Sequence, residues 1–208
     1  MSPSVRPDES ALATIRAGRA PESRIPVERG MPMHAYVNMS REELLEALEM
    51  FAKNWLAHDG CWFLAAEEHL GLDEAVDLDT RAWARFAATE ARRIKSTFGI
   101  SENQGLEGLE KALALRMYAV INVQHAEWSE DGRRMRFFMD TCRVQETRRR
   151  KGLPDFPCKG VGVVEFSTFA RTVDPRIRTE CLHCPPETPE TRYCGWEFTL
   201  GDGKGESS

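Results

Sequence analysis

The stretch AVINVQHAEWSEDGRRMRFFMDT, residues 119–141, decides the fold class, because the sequence changes there from a helical to a strand pattern. Residues 119–128 and 133–141 are rich in residues that favour strands. Ser129 to Gly132, between them, reads SEDG and is typical of a hairpin turn. We therefore predict two antiparallel strands here, within an α+β fold in which a helical bundle packs on a small antiparallel sheet.

The residues before this hairpin have the spacing of helices. Over residues 40–58 apolar side chains recur every three or four residues, and Ser40 with Glu43 has the pattern of a capping box. Asp59-Gly60 predicts a break in this helix. Further helices are expected at residues 62–70, 79–98 and 105–118. Residues 31–118 are thus predicted to form a helical subdomain.

The residues after the hairpin complete the predicted sheet. The expected elements are a helix at residues 159–173 and strands at residues 177–183 and 193–200. Residues 119–200 are therefore predicted to form an α+β subdomain that is rich in cysteine. Residues 1–30 and 201–208 lack an apolar pattern, so we expect a flexible arm and a flexible tail there.

The composition excludes several classes of partner. The 208 residues carry a formal net charge of -5, which gives no general attraction to nucleic acid or to an anionic membrane. The apolar runs fall short of the roughly 20 residues that span a bilayer, and the first 26 residues lack the apolar core of a secretory signal. We therefore expect a cytoplasmic protein, without nucleic acid or membrane partners, whose cysteines stay reduced.

Five of the six cysteines lie between residues 142 and 194, and four of them have a spacing suited to a metal ion. The four are Cys158, Cys181, Cys184 and Cys194, in the pattern C-x22-C-x2-C-x9-C. A Cys-x2-Cys step lets two thiolates converge on one ion, and two further cysteines complete a tetrahedron. Cys158 comes just before a predicted helix, where free N–H groups favour a thiolate. The pattern predicts a zinc site.

Other roles of the cysteines stay open. Thiolates alone do not distinguish zinc from an iron–sulfur cluster, and a redox dithiol or a set of buried apolar thiols would have the same sequence. Cys142, at the end of a predicted strand, either replaces one of the four ligands or acts as a catalytic nucleophile beside them. Cys61, beside Trp62 and Phe63, is expected to belong to the helical core.

The last third of the chain resembles a known group of sequences. It reads TCRVQETR from Thr141, GLPDFPCK from Gly152, FARTVDPRI from Phe169, CLHCPP from Cys181 and CGWEF from Cys194. These motifs resemble a family of uncharacterised bacterial cytosolic proteins related to the L-2-amino-thiazoline-4-carboxylic acid hydrolase-like proteins. More distantly, they resemble the 4-vinyl reductase domains that serve as small-molecule sensors.

The resemblance to the sensors implies an α+β fold, often dimeric, with a ligand pocket between the helices and the sheet. It also implies a zinc site at Cys158, Cys181, Cys184 and Cys194. Because the sensors can have a glutamate where this chain has a cysteine, four thiolates favour a structural site over an open catalytic one. The resemblance to the hydrolases implies an activity that opens a thiazoline ring, although none of their catalytic residues matches this chain.

Two glutamates, Glu67 and Glu90, fall on the apolar faces of predicted helices. Burying an unpaired carboxylate is costly, so each needs a cation, a proton or a metal. Arg93, three residues after Glu90, is a candidate partner and a candidate ligand-binding residue. The two glutamates are interpreted either as members of interhelical salt bridges or as the general acid and base of a buried catalytic pocket.

Residues 148–151, RRRK, form the strongest basic patch of the sequence. A solvated helix face is the default interpretation, and the absence of interleaved aromatic residues disfavours nucleic-acid binding. A third interpretation is that Arg148 and Gln145 clamp the carboxylate of a small anionic ligand.

Together these patterns predict a zinc-stabilised protein that binds a small molecule, with a homodimer favoured by the small sheet and its exposed edge. The alternative is a hydrolase of a C–N bond in a small cyclic amidine, with Cys142, Glu67 and Glu90 as the reactive groups. A second alternative is an iron–sulfur or thiol redox protein. The sequence has no nucleotide-binding loop, catalytic triad signature or HExxH motif that would name a reaction.

Overall fold

A computed structural model describes residues 33–187 and 193–201. Within these residues the helices are α1 (Arg41–Leu70), α2 (Leu72–Phe98), α3 (Gly105–Ala114), α4 (Met117–Ile121), α5 (Arg143–Arg150) and α6 (Cys158–Val173). The strands are β1 (Gln124–Trp128), β2 (Arg134–Met139), β3 (Ile177–His183) and β4 (Cys194–Leu200). This combination of helices with an antiparallel sheet confirms the predicted α+β class. Apart from Gly201, the predicted arm and tail lie outside the described residues.

Contacts divide the chain into two units, Met1–Leu44 and Leu45–Ser208. In the first unit, the described residues contain a turn followed by the start of α1. The Ser40 N–H donates to the Glu43 carboxylate at 2.7 Å, and the Glu43 N–H donates to the Ser40 hydroxyl at 3.1 Å. This reciprocal pair confirms the predicted capping box, which satisfies N–H groups that the helix itself leaves without acceptors.

The second unit contains one four-stranded antiparallel sheet, with the strand order β1-β2-β4-β3. The turn between β1 and β2 falls at residues 129–132, as predicted. Gly132 has φ 66°, a left-handed conformation that glycine adopts without strain. β1 begins later than residue 119, because residues 117–121 form helix α4 instead.

The core lies between the sheet and α6, and α6 also packs along α2. Phe166 of α6 stacks on Trp196 of β4, with ring centroids 4.6 Å apart. Gly162 permits this contact, because a Cβ atom at that position would lie 2.6 Å from the Trp196 ring. The close packing fixes the height of α6 over the sheet, and hence the position of the residues at its first turn.

Helix α1 continues through Asp59-Gly60, so the predicted break was wrong. A glycine inside a helix costs only about 1 kcal/mol relative to alanine. On one side of it Trp55 stacks on Phe86 at 5.8 Å, and on the other side Phe63 meets Phe156 at 5.0 Å. These tertiary contacts hold both halves of the helix and outweigh the local signal.

The other helices agree with the predictions, with shifted boundaries. α2 ends at Phe98, before a left-handed Gly99, as predicted, but it begins at Leu72 rather than at residue 79. The predicted helix at residues 105–118 is divided into α3 and α4, because Arg116 has an extended backbone. Among the described residues, none of the helices has the length and apolar character needed to cross a membrane.

Asp174, at the end of α6, is fully buried and joins that helix to α3. Its carboxylate accepts hydrogen bonds from the Gly105 N–H at 3.0 Å and from the Arg176 guanidinium at 2.6 Å. The hydrogen bond from Arg176 is the largest cause that lowers the pKa of Asp174 to about 2. The charged carboxylate therefore stabilises the fold above pH 4, and this contribution is lost as the pH falls towards 2.

Replacing Asp174 with asparagine is expected to lower the free energy of unfolding at pH 7 by about 2 kcal/mol, and to flatten its dependence on pH between 4 and 2. Urea denaturation across this pH range measures both effects. Asp77→Asn is the control, because Asp77 is exposed and its ion-pair partner among the described residues is Arg81 on the same helix. Equal behaviour of the two variants would contradict the structural role of Asp174.

Candidate functional site

The second unit contains a cavity of about 470 Å³ between its helices and the sheet. Helices α1, α2, α4, α5 and α6 contribute to its wall, together with β2 and β4. The wall is mainly apolar, and its aromatic members are Phe63, Trp83, Tyr118, Phe156, Phe166 and Trp196. This volume falls within the range of about 300–1,000 Å³ that is usual for small-molecule sites.

Two carboxylates of the cavity wall, Asp59 on α1 and Asp79 on α2, are partly buried and form no ion pair with another described residue. Burial raises the pKa of Asp79 to about 7, with the charges of Asp59 and Glu165 adding to the effect and a hydrogen bond with Trp83 opposing it. Burial also raises the pKa of Asp59, against a smaller opposing effect of His58. No described cation pairs with these two aspartates, and the raised pKa values mean that protonation relieves part of their negative charge.

Arg116 also lines the cavity, and it forms ion pairs with residues of helices α2 and α6. Its Nε donates to Glu90 of α2 at 2.9 Å, and its Nη2 donates to Glu165 of α6 at 2.6 Å. The guanidinium also lies 4.9 Å from the ring centroid of Phe169. Burial raises the pKa of Glu165, while the charge of Arg116 opposes this effect. The one guanidinium of Arg116 thus forms ion pairs with two buried carboxylates.

Another part of the cavity wall is basic. Arg148 donates to both oxygens of Glu67, at 2.7 and 2.9 Å, and its Nε donates to the Pro154 carbonyl at 2.7 Å. The hydrogen bond from Arg148 is the largest cause that lowers the pKa of Glu67. Arg143 and Arg150 also line this end, and both are exposed. This basic part of the wall therefore reaches the protein surface, and we call it the basic mouth.

Gln145 is fully buried, and its side chain forms hydrogen bonds with other residues of the protein interior. Its side-chain amide donates to the Phe156 carbonyl at 2.8 Å and to the Cys158 sulfur at 3.1 Å, and its oxygen accepts from the Phe156 N–H at 2.9 Å. These bonds hold the segment before α6 against α5. Arg148 lines the cavity and Gln145 does not, so the predicted clamp of these two residues on a ligand stays a prediction without support from the cavity wall.

The structure brings together the five cysteines of the last third of the chain. The Cys181 thiol donates to the Cys184 sulfur at 3.4 Å, and Cys184 is also hydrogen-bonded to Cys194. Burial, with the neighbouring Cys142 and Cys194, raises the pKa of Cys158. Burial raises the pKa of Cys142 to about 12, and its thiol is hydrogen-bonded by backbone groups of α5. All five are free thiols.

This cluster provides the right donor atoms for zinc but not a finished ligand set. Zinc with Zn–S bonds of about 2.3 Å in a tetrahedron places its sulfurs about 3.8 Å apart, close to the distance between Cys181 and Cys184. Within residues 33–187 and 193–201, no group of three or more His, Cys, Asp or Glu side chains is arranged so that it could hold a metal ion. The four predicted ligands would have to move closer together to bind one.

Three of the five thiols, Cys142, Cys158 and Cys194, also line the cavity. The cysteine cluster and the cavity therefore share a wall. Cys61 lines the cavity as well but is exposed, so its predicted place in the core was wrong. His183, inside the Cys-x2-Cys step, stacks on Phe138, and its ring would collide with a Cβ atom at residue 195.

The two predicted carboxylates do not share a pocket. Glu67 pairs with Arg148 and Glu90 pairs with Arg116, and neither glutamate is among the residues that line the cavity. The salt-bridge interpretation of both is therefore confirmed. Arg93, the predicted partner of Glu90, lies on the exposed side of α2 instead.

Sequence reasoning missed Arg116, Glu165, Asp59 and Asp79 as site residues. Glu165 had the same signal as Glu90, since it lies among the apolar residues of its helix. Arg116 lies between Leu115 and Met117, and a charged residue inside an apolar run predicts a buried ion pair.

Comparisons with known proteins assign a family without a function. A family model described as "Family of unknown function (DUF6125)" matches residues 37–200. No curated protein sequence matches the chain. Among solved structures, subunit 3 of a trafficking protein particle complex from Naegleria fowleri, covalently bound to palmitic acid, is similar with a TM-score of 0.43. It is 11% identical, and the match covers 78% of this chain and 98% of that one.

Proposed function

We propose that this chain, which belongs to the DUF6125 family of unknown function, is a small-molecule-binding protein whose ligand occupies the cavity between the helices and the sheet. The observation that carries the proposal is the cavity itself, about 470 Å³ of space between the helices and the sheet. Protein interiors are packed nearly as densely as organic crystals, so open space of this size needs a reason.

The residues of the cavity wall support a binding site rather than a packing defect. Aromatic side chains surround it, which provides apolar area for a ligand to bury. Trp196 is 1% exposed and lines the cavity, and its indole N–H has no acceptor among the described residues. A buried donor without an acceptor is unfavourable, and a ligand oxygen or nitrogen would relieve this once neighbouring side chains moved, because the nitrogen itself is buried.

N-phenyl-1-naphthylamine, an uncharged fluorescent probe, tests the proposal. At about 0.3 kcal/mol per non-hydrogen atom we expect saturable binding to one site per chain, with a Kd of about 100 μM or tighter. Leu64→Trp, which adds a ring to the cavity wall, is expected to weaken binding about tenfold or more because it fills the same space.

The matched control is Leu70→Trp, the same substitution on the same helix at an exposed residue outside the cavity wall. It should bind the probe as the wild type does. Fluorescence that rises without saturation, or equal loss of binding in both variants, would contradict the proposal.

The second part of the proposal is a zinc ion held by Cys158, Cys181, Cys184 and Cys194. The support is that α6, β3 with the residue after it, and β4 bring these four thiols near one another, although Cys158 is distant from the other three in the sequence. Zinc would supply the positive charge that lets neighbouring buried thiols lose their protons, and it would fix the first turn of α6 to the sheet. Because Cys158 and Cys194 also line the cavity, the ion would stabilise its wall.

The geometry gives less support to the predicted hydrolase. Glu67 and Glu90 are each neutralised by an arginine, in different ion pairs and away from the cavity wall. The donors that contact the Cys142 thiol are backbone groups of Val144 and Gln145, rather than a base that would activate it. We therefore propose binding, without turnover, as the function.

A further inference from the structure

We infer that the ligand is an organic cation: an apolar, ring-containing molecule with one protonated amine, whose nitrogen binds between Asp59 and Asp79. This inference rests on the proposed function, since it names the class of molecule that the cavity takes. It follows from the distribution of charge in the wall, from the burial of each charge and from the aromatic rings around them.

The acidic end of the cavity has more negative than positive charge. Three carboxylates line it, those of Asp59, Asp79 and Glu165. Among the described residues, Arg116 forms ion pairs with Glu165 and with Glu90, which lies outside the cavity wall. Arg116 donates its two hydrogen bonds to Glu90 and Glu165. Asp59 and Asp79 therefore have no cation bonded to them among the described residues. A bound ammonium group would neutralise this excess in a place where water screens charge poorly.

The aromatic wall suits a cation with an apolar body. Trp83 is hydrogen-bonded to Asp79, and Tyr118 lies against the same end with its ring stacked on that of Trp83 at 5.9 Å. The electron-rich faces of such rings attract organic cations. The buried indole N–H of Trp196 has no acceptor among the described residues, which is a separate observation that points to a ligand. An acceptor elsewhere on that molecule would reach it after a small movement of the neighbouring side chains.

The basic mouth is expected to attract an anionic ligand less strongly than the acidic end attracts a cationic one. Arg148 is already bonded to Glu67, and Lys53 pairs with Glu49. Arg143, Arg150 and Lys151 are exposed, so water and salt weaken their attraction for a ligand. We therefore expect the partly buried charges of Asp59 and Asp79 to decide which ligand binds.

Three naphthalene probes of nearly equal shape test this inference by isothermal titration calorimetry on the full chain at pH 7.5. They are 2-naphthylmethylamine, which is a cation, 2-naphthylmethanol, which is neutral, and 2-naphthoate, which is an anion. The wild type is expected to bind the amine at least about tenfold more tightly than the alcohol, and the naphthoate most weakly.

Asp79→Asn is expected to weaken binding of the amine at least about tenfold and to leave binding of the alcohol unchanged. Asp77→Asn removes an exposed carboxylate from the same helix and should change neither. A second readout needs no variant. The pKa of Asp79 is about 7, so at pH 7 the amine should displace about half a proton per chain, which titrations in buffers of different ionisation enthalpy measure.

The charged groups that act on Asp79 in this measurement of proton release are Asp59 and Glu165. Arg116, Tyr118 and His58 interact electrostatically with Asp59 or Glu165. Equal affinity for the amine and the alcohol would overturn the inference and leave the proposed function standing, provided that N-phenyl-1-naphthylamine still binds. Tightest binding of the naphthoate would also overturn it, because the mouth would then select the ligand. Failure of all the probes, including N-phenyl-1-naphthylamine, would overturn the proposed function itself.

Discussion

Replacing Arg116 with methionine is expected to lower the free energy of unfolding by about 4 kcal/mol, the largest loss that we predict for a single change of charge. Arg116 is 3% exposed, and it is the shared partner of Glu90 and Glu165. Its removal leaves two buried carboxylates close together without a cation. Urea denaturation at pH 7 measures the change.

Two controls separate this effect from ordinary loss of an ion pair. Arg136→Met removes a half-exposed arginine that pairs with Glu197 on the sheet, and it should cost less than about 1 kcal/mol. Adding Glu90→Gln and Glu165→Gln to Arg116→Met should recover part of the lost stability, because no charge then remains unpaired. A loss below about 1 kcal/mol for Arg116→Met alone would show that the three residues do not form the buried network described above.

Replacing Cys184 with serine is expected to remove the proposed zinc ion and to lower Tm by about 10 °C or more. Cys184 is buried and hydrogen-bonded to both Cys181 and Cys194, so it lies at the centre of the proposed ligand set. Serine is a poor zinc ligand and would leave three thiols around the ion. Elemental analysis of both proteins, together with thermal unfolding, checks the two effects.

Cys61→Ser is the matched control, because Cys61 is an exposed thiol that lies outside the cluster. It should keep about one zinc per chain and the wild-type Tm. Wild-type protein purified without chelator that contains no metal would contradict the zinc proposal. Iron in place of zinc would favour the iron–sulfur alternative, which has the same thiolate ligands.

The sequence predicted most of the fold because its local signals agree with its tertiary structure. The capping box at Ser40, the left-handed Gly99 and the turn ending at Gly132 all occur where their residues predicted them. At Gly60 the local signal failed, since contacts of Trp55 and Phe63 with distant residues hold the helix together. Periodicity cannot report such contacts.

The candidate site was less predictable, because its properties depend on which elements meet. The sequence placed Glu67 and Glu90 on apolar faces correctly, but their partners Arg148 and Arg116 are distant along the chain. Asp59 belonged to an apparent turn, which concealed its place in the cavity wall. A buried charge can be predicted from its own helix, whereas the residue that neutralises it requires the fold.

The most direct test of the central claim is a crystal structure of the chain with bound N-phenyl-1-naphthylamine. The account predicts density for one probe molecule per chain inside the cavity, in contact with Phe63, Trp83 and Trp196. Probe density confined to the outer surface, with the cavity closed by rearranged side chains, would contradict it.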